Sequence, residues 1–197
     1  MHGDELTIVR GVHNMTGVAL VEVYDLSPES NSILSNTSTR TFVQTSDDVM
    51  IGCFILQGAV SKRVIVRAIG PELTRYGVPN VLADPTLELH DSTGALIASN
   101  NNWVTTIPGG IITANQFRDI LNSAYAPIDL KESPIIADLP AGNYTTIVRG
   151  VNDTTGVALV EVYDLILKCR KPSQRTASYR FCQYSPHSVA FWVRNKS

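Results

Sequence analysis

An all-β domain, an antiparallel β-sandwich or jelly roll with one short helix, is what this sequence predicts. Three observations carry the prediction. Short runs rich in β-branched residues recur at regular spacing, separated by Gly, Pro, Asn and Asp turns. Only one stretch has helical periodicity. A twenty-residue segment occurs twice, as Thr7–Leu26 (TIVRGVHNMTGVALVEVYDL) and Thr146–Leu165 (TIVRGVNDTTGVALVEVYDL). The copies agree at 17 positions and are offset by 139 residues, the length of one small domain. Three domain segments follow. Residues 1–26 read as the terminal hairpin of a preceding repeat, 27–165 as one complete β-sandwich repeat, and 166–197 as a basic tail expected to be poorly ordered.

The elements follow in order. After the polar lead-in 1–5, TIVRGV is β-branched, HNMTG is turn-forming, and VALVEVYDL alternates with period two. Ala19, Val21 and Val23 share one face; Leu20, Glu22 and Tyr24 share the other. Both faces are largely apolar, which predicts a well-buried strand. Residues 27–36 read as a linker. Arg40–Gln44 is a short strand, and Val49–Leu56 is a core strand holding Gly52 and Cys53. Gly52 predicts a bulge or a close approach, and Cys53 a buried thiol. Arg63–Ile69 places Arg63, Ile65, Arg67 and Ile69 on one face and Val64, Val66 and Ala68 on the other.

Gly70-Pro71 ends that strand, and Glu72–Tyr76 reads as a helical turn. Thr86–His90 and Ala95–Ser99 form a hairpin about Asp91-Ser92-Thr93-Gly94. Thr113-x-x-Gln116 is a capping-box pattern, so the helix is placed at 114–123. Ser133–Leu139 is a strand that Pro134 confines to an edge or a strand start. Tyr144–Val151 and Val157–Leu165 form the second hairpin copy.

Of the 197 residues, 44% are hydrophobic and 17% charged, which supports a packed core. No apolar run approaches the roughly 18 residues needed to span a membrane. The start, MHGDELTIV, has no basic region followed by an apolar one and is not a signal peptide. The chain is read as cytosolic, or as a mature piece or fragment of a longer protein. The net charge of −2 hides a split between an acidic body, residues 1–165, and a tail, 166–197, with seven Lys/Arg and no acid. Three cysteines without C-x-x-C spacing exclude the usual zinc and redox motifs, and leave a Cys169–Cys182 pairing open.

The phrases STRTFVQTSDDVMIGCFILQG (38–58), KRVIVRAIGPEL (62–73), GVPNVLADPTLELHDSTGALIASNNNW (77–103) and LPAGNYTTIVRGVNDTTGVALVEVYDL (139–165) resemble a module repeated in tandem in large secreted proteins of environmental bacteria. That resemblance covers about residues 7–165. It implies an extracellular or cell-surface location and brings no assigned activity. DPTLELHDSTGALIASNNN and PAGNYTTIVRG also resemble the bacterial pre-peptidase C-terminal domain, a β-sandwich beside secreted proteases. That likeness implies a binding or accessory role, sometimes with calcium.

Four candidate sites follow from the residues. Asp84, Asn100, Asn101 and Asn102 gather oxygen donors at the open end of the 86–99 hairpin and form a candidate calcium site; Asp91 falls at the opposite tip. The reading adopted is that Asp and Asn here simply make turns, so no cofactor is expected. Arg63 and Arg67, with Lys62 beside them, present cations to an anionic glycan or pair across the sheet with Glu161 and Glu22. The four His include no catalytic motif; His90 beside Glu88 and Asp91 reads as a solvated side chain, so no enzyme is expected. The tail interleaves Arg and Lys with aromatics, but it has no RNP-like or finger motif, and nucleic acid is not the expected partner. N-x-S/T sequons begin at Asn14, Asn36, Asn143, Asn152 and Asn195.

The leading expectation is a non-enzymatic β-sandwich module serving as spacer, adhesion or glycan-binding unit. One alternative is a self-assembling structural protein in which residues 7–26 exchange strands or add to a sheet edge. Another is an accessory domain of a secreted hydrolase.

Overall fold

The computed structural model describes residues 7–15, 17, 19–23, 36–105, 107–165 and 190–195. The strands are β1 (Ala19–Val23), β2 (Asn36–Val43), β3 (Met50–Leu56), β4 (Lys62–Ile69), β5 (Pro85–His90), β6 (Leu96–Asn100), β7 (Ser133–Leu139), β8 (Gly142–Gly150), β9 (Gly156–Asp164) and β10 (Ala190–Asn195); α1 is Phe117–Asn122. They form a six-stranded sheet, β1-β10-β3-β8-β5-β6, and a four-stranded sheet, β2-β9-β4-β7. All pairings between these strands are antiparallel. Residues 36–165 therefore build a sandwich of two four-stranded halves, and β10 and β1 extend one half past β3. This is the all-β sandwich expected from the spacing of short strands and turns.

Alternation decides which side chains enter the space between the sheets. Met50, Phe54 and Leu56 of β3, Leu87 and Leu89 of β5, and Val160 of β9 are buried there. β4 carries buried apolar side chains on both faces, because both faces are partly covered. Val64 and Val66 enter the main core, while Ile65 points outward with Ile136 into a second cluster. That cluster is roofed by the connection from β6 to β7, where Trp103 stacks on Phe117 with centroids 5.3 Å apart and Ile120 is fully buried. Pro134 sits in β7, an edge strand, where its missing N–H costs no ladder bond.

Several local expectations differ from the structure. The repeated segment is not a hairpin. β8 pairs with β3 and β5, whereas β9 pairs with β2 and β4, so Val151–Asp153 is a corner between two sheets. Two alternating runs joined by a short turn read alike in either case. β2 begins at Asn36, the last residue read as linker and four residues before the expected strand start at Arg40, because β9 offers a ladder that far. The helix is shorter than 114–123. Gln116 does not close a capping box; its side-chain amide pairs with the backbone of Ile136, accepting from that N–H at 3.0 Å. Asn115 instead accepts from the Phe117 N–H at 2.8 Å. Cys53 lies on the outer face of β3 and is half-buried, while β3 keeps an unbroken register with β8 through Gly52. Within the basic tail, Ala190–Asn195 form β10 alongside β3; residues 166–189, with Cys169 and Cys182, lie outside the described residues.

Candidate functional site

The cations singled out on β4 are engaged within the fold. Arg67 stands directly opposite Glu161 in the β4–β9 register and donates to its Oε2 through Nε at 2.9 Å and through Nη2 at 2.5 Å. Its Nη1 donates to the Tyr125 carbonyl at 2.6 Å. Tyr163 donates its hydroxyl to Glu161 Oε1 at 3.0 Å, and its ring stacks on Tyr125 at 4.2 Å. Arg63 donates to Asp138 at 2.8 Å and to Asp119 at 2.9 Å, tying β4 to β7 and α1 at the exposed rim. Lys62 pairs with Asp164 at 2.8 Å. A cleft of about 240 Å³ opens beside Arg63, lined by Gln116, Asp119 and Asp138.

At the oxygen-rich end of the β5–β6 hairpin, the side chains bond to the protein itself. Asp84 faces the Lys131 ammonium at 3.5 Å, and its carbonyl accepts from the Val151 N–H. Asn100 is 1% exposed; its amide donates to the Pro134 carbonyl at 2.8 Å, and its Oδ1 accepts from the N–H groups of Asn101 and Asn102. Asn100 thus turns the chain out of β6, the structural role that Asn and Asp take in turns. The segment Lys131–Pro134 contacts both Asp84, through Lys131, and Asn100, through the Pro134 carbonyl, and no cluster of three or more His, Cys, Asp or Glu suited to a metal forms among the described residues. One Asp84 carboxylate oxygen, Oδ1, is shielded from solvent without a protein partner. Asp91 sits at the far tip, where Oδ1 accepts from the N–H and hydroxyl of Thr93 and the N–H of Ala95. Those bonds, that of the Thr93 hydroxyl first, lower its pKa.

Glu132 is the residue that sequence reasoning missed. It is completely buried, yet it reads as one polar residue in a loop. Its two carboxylate oxygens accept from the N–H groups of Gly70, at 2.7 Å, and Glu72, at 2.8 Å. These cap the two-turn 3-10 segment Pro71–Tyr76, whose first N–H groups otherwise lack partners. Burial pushes the Glu132 pKa up to about 7 against the pull of those two bonds, and the Glu72 and Asp129 carboxylates push in the same direction as burial.

His90 bridges Glu88 Oε2 and the Gly94 carbonyl, each at 3.1 Å, at the hairpin tip. It has no nucleophile beside it in these bonds.

The two copies of the repeated segment differ sharply in surroundings. In β9, Ala158, Val160 and Val162 are buried. Their counterparts in β1 are Ala19 and Val23, both exposed, and Val21, half-buried. Leu20 and Val23 are 53% and 46% exposed. Ahead of the strands the backbones agree. His13 and Asn152 both adopt left-handed conformations, at φ 54° and 53°, and the N–H two residues on returns to the Val12 or Val151 carbonyl. A Cβ on Gly11 or Gly150 would collide with the backbone carbonyl of Met15 or Thr154, so glycine serves both corners. The corner is encoded locally; the burial is not. β1 instead pairs along one edge with β10, from Ala19 opposite Asn195 to Val23 opposite Phe191.

No known family model matches the chain, and no curated protein matches it.

Proposed function

We propose that this chain is a non-enzymatic structural module of an extracellular or cell-surface protein, a spacer or adhesion unit repeated along a longer polypeptide. The observation that carries this reading is the fit of fold to period. Residues 36–165 close one sandwich, and a twenty-residue segment recurs after 139 residues, so one period has room for one closed domain. The charged side chains support it as well: Lys62, Arg63, Arg67 and Glu132 are held by bonds that build the sandwich. Among the described residues, no helix is long and apolar enough to cross a membrane.

A glycan array and a panel of hydrolase substrates, both probed with the full chain, test this. Turnover is expected to be absent. Turnover that tracks the pure protein, and is lost when His90 or Glu132 is changed to Gln, sinks the reading. Saturable glycan binding places the module among adhesion units, and a flat array profile places it among spacers.

A further inference from the structure

We infer that the gap between β2 and β4 is a strand-binding site with two occupants encoded in the same chain: Ala158–Asp164, which fills it here, and Ala19–Val23, which stands outside it. The gap recognises a strand through two ladders and two faces. β9 pairs with β2 from Val162 opposite Thr37 to Ala158 opposite Thr41, and with β4 at Glu161 opposite Arg67. Ala158, Val160 and Val162 fill the main core, and Glu161 receives Arg67 on the outer face. Ala19-Leu20-Val21-Glu22-Val23 is identical to Ala158-Leu159-Val160-Glu161-Val162. Placed in the gap, it puts Val23 opposite Thr37, Val21 opposite Thr39 and Ala19 opposite Thr41. Glu22 then meets Arg67. Every shape and charge requirement that the gap imposes on this stretch is met by the second occupant.

The connection also permits it. Residues 24–35 lie between Val23 and Asn36. Ala19–Val23 in the gap would run antiparallel to β2, so these twelve residues become the long loop that joins the two strands. Closing a loop of that length is inexpensive, because the entropy grows only with the logarithm of length. The corner at Gly11–Met15 already has the backbone of the corner at Gly150–Thr154, so Thr7–Arg10 would follow the course of Thr146–Arg149 between β3 and β5.

Counting occupants decides between exchange within a molecule and exchange between molecules. Each chain has one gap and two matching strands. Transfer between two chains leaves as many strands outside a gap as before, and adds the cost of association. Exchange within one chain carries no such cost. The ladder that β1 makes with β10 is given up, and the burial that Ala158–Val162 lose on leaving the gap is recovered by the identical strand that enters it.

Charge substitutions in the full chain test the inference. Val160→Asp puts a carboxylate into a completely buried position, and Val21→Asp alters the matching position of the second occupant. Each single variant is expected to remain a monomer with one cooperative unfolding transition, its midpoint within about 5 °C of the parent. The double variant is expected to lose that transition. Limited trypsin digestion of Val160→Asp is expected to lose cleavage after Arg10 and gain cleavage after Arg149. The inference is overturned if Val160→Asp alone unfolds as completely as the double variant, or if the double variant is as stable as the singles. It is also overturned if Val160→Asp stays folded only as a dimer, or keeps the parent's tryptic pattern.

Discussion

Arg67 and Glu161 face each other across β4 and β9 with side chains only 15% and 10% exposed, and Tyr125 and Tyr163 close over them. Such a pair is costly to break from one side. Arg67→Met leaves a nearly buried carboxylate opposite an apolar side chain, and it is expected to cost about 3 kcal/mol. The loss should change little between low and high salt, since a shielded pair is poorly screened. Urea denaturation of Arg67→Met at two salt concentrations measures both effects. Arg63→Ala, at the exposed rim, is expected to cost less than about 1 kcal/mol despite its two partners.

Glu132 makes stability depend on pH in a defined window. Its pKa in the fold, about 7, lies above the ordinary value of 4.5. Between those values the folded chain holds more proton at this position than the unfolded chain. The stabilisation is therefore fully present below pH 4.5 and is lost as the pH rises through about 7. Denaturation midpoints across this range should fall with pH more steeply in the parent than in Glu132→Gln. Parallel curves for the two proteins would show that Glu132 titrates at its ordinary value.

The outer cluster rests on Trp103. Its ring is 6% exposed and stacks on Phe117, and its indole N–H donates to the Asp129 carbonyl at 3.0 Å. Trp103→Ala removes the ring that holds the β6–β7 connection against Ile65 and Ile136, and should cost about 3–5 kcal/mol. Chemical denaturation of that variant gives the value directly, and a loss below about 1 kcal/mol would mean the connection is held from elsewhere.

At the Asp84 end of the hairpin, calcium is expected to leave the unfolding temperature unchanged. Lys131 already supplies the positive charge, and Asn100 has committed its side chain to Pro134, Asn101 and Asn102. Lys131→Ala should shift stability by less than about 1 kcal/mol, because the ammonium is 57% exposed. Thermal scans with millimolar calcium and with chelator are the check. A rise with calcium that disappears in Asp84→Asn would establish an ion site here.

Much of the sandwich was legible because strand alternation is a local signal. The alternation that set Val64, Val66 and Ala68 apart from Arg63, Ile65 and Arg67 is the one β4 shows, with the first set buried in the main core. The partnership of Arg67 with Glu161 was among the readings of the residues, since same-face charges on apolar strands seek opposite charges across a ladder. Glu132 and the role of Asn100 were not legible. Their burial comes from segments 62 and 34 residues away, and no local pattern announces which loop carboxylate will be covered.

The repeated segment separates the two contributions most directly. By itself the sequence determined the strand alternation and the corner, for the left-handed residue, the returning N–H and the crowded glycine recur in both copies. Those features depend on backbone sterics within a few residues. Only the tertiary structure decided that Val160 is buried and Val21 is half-exposed, that the corner joins two sheets instead of closing a hairpin, and which copy lies between β2 and β4. Burial requires strands that are distant in sequence to arrive on both edges and both faces, and an identical stretch of chain receives them in one place and not in the other.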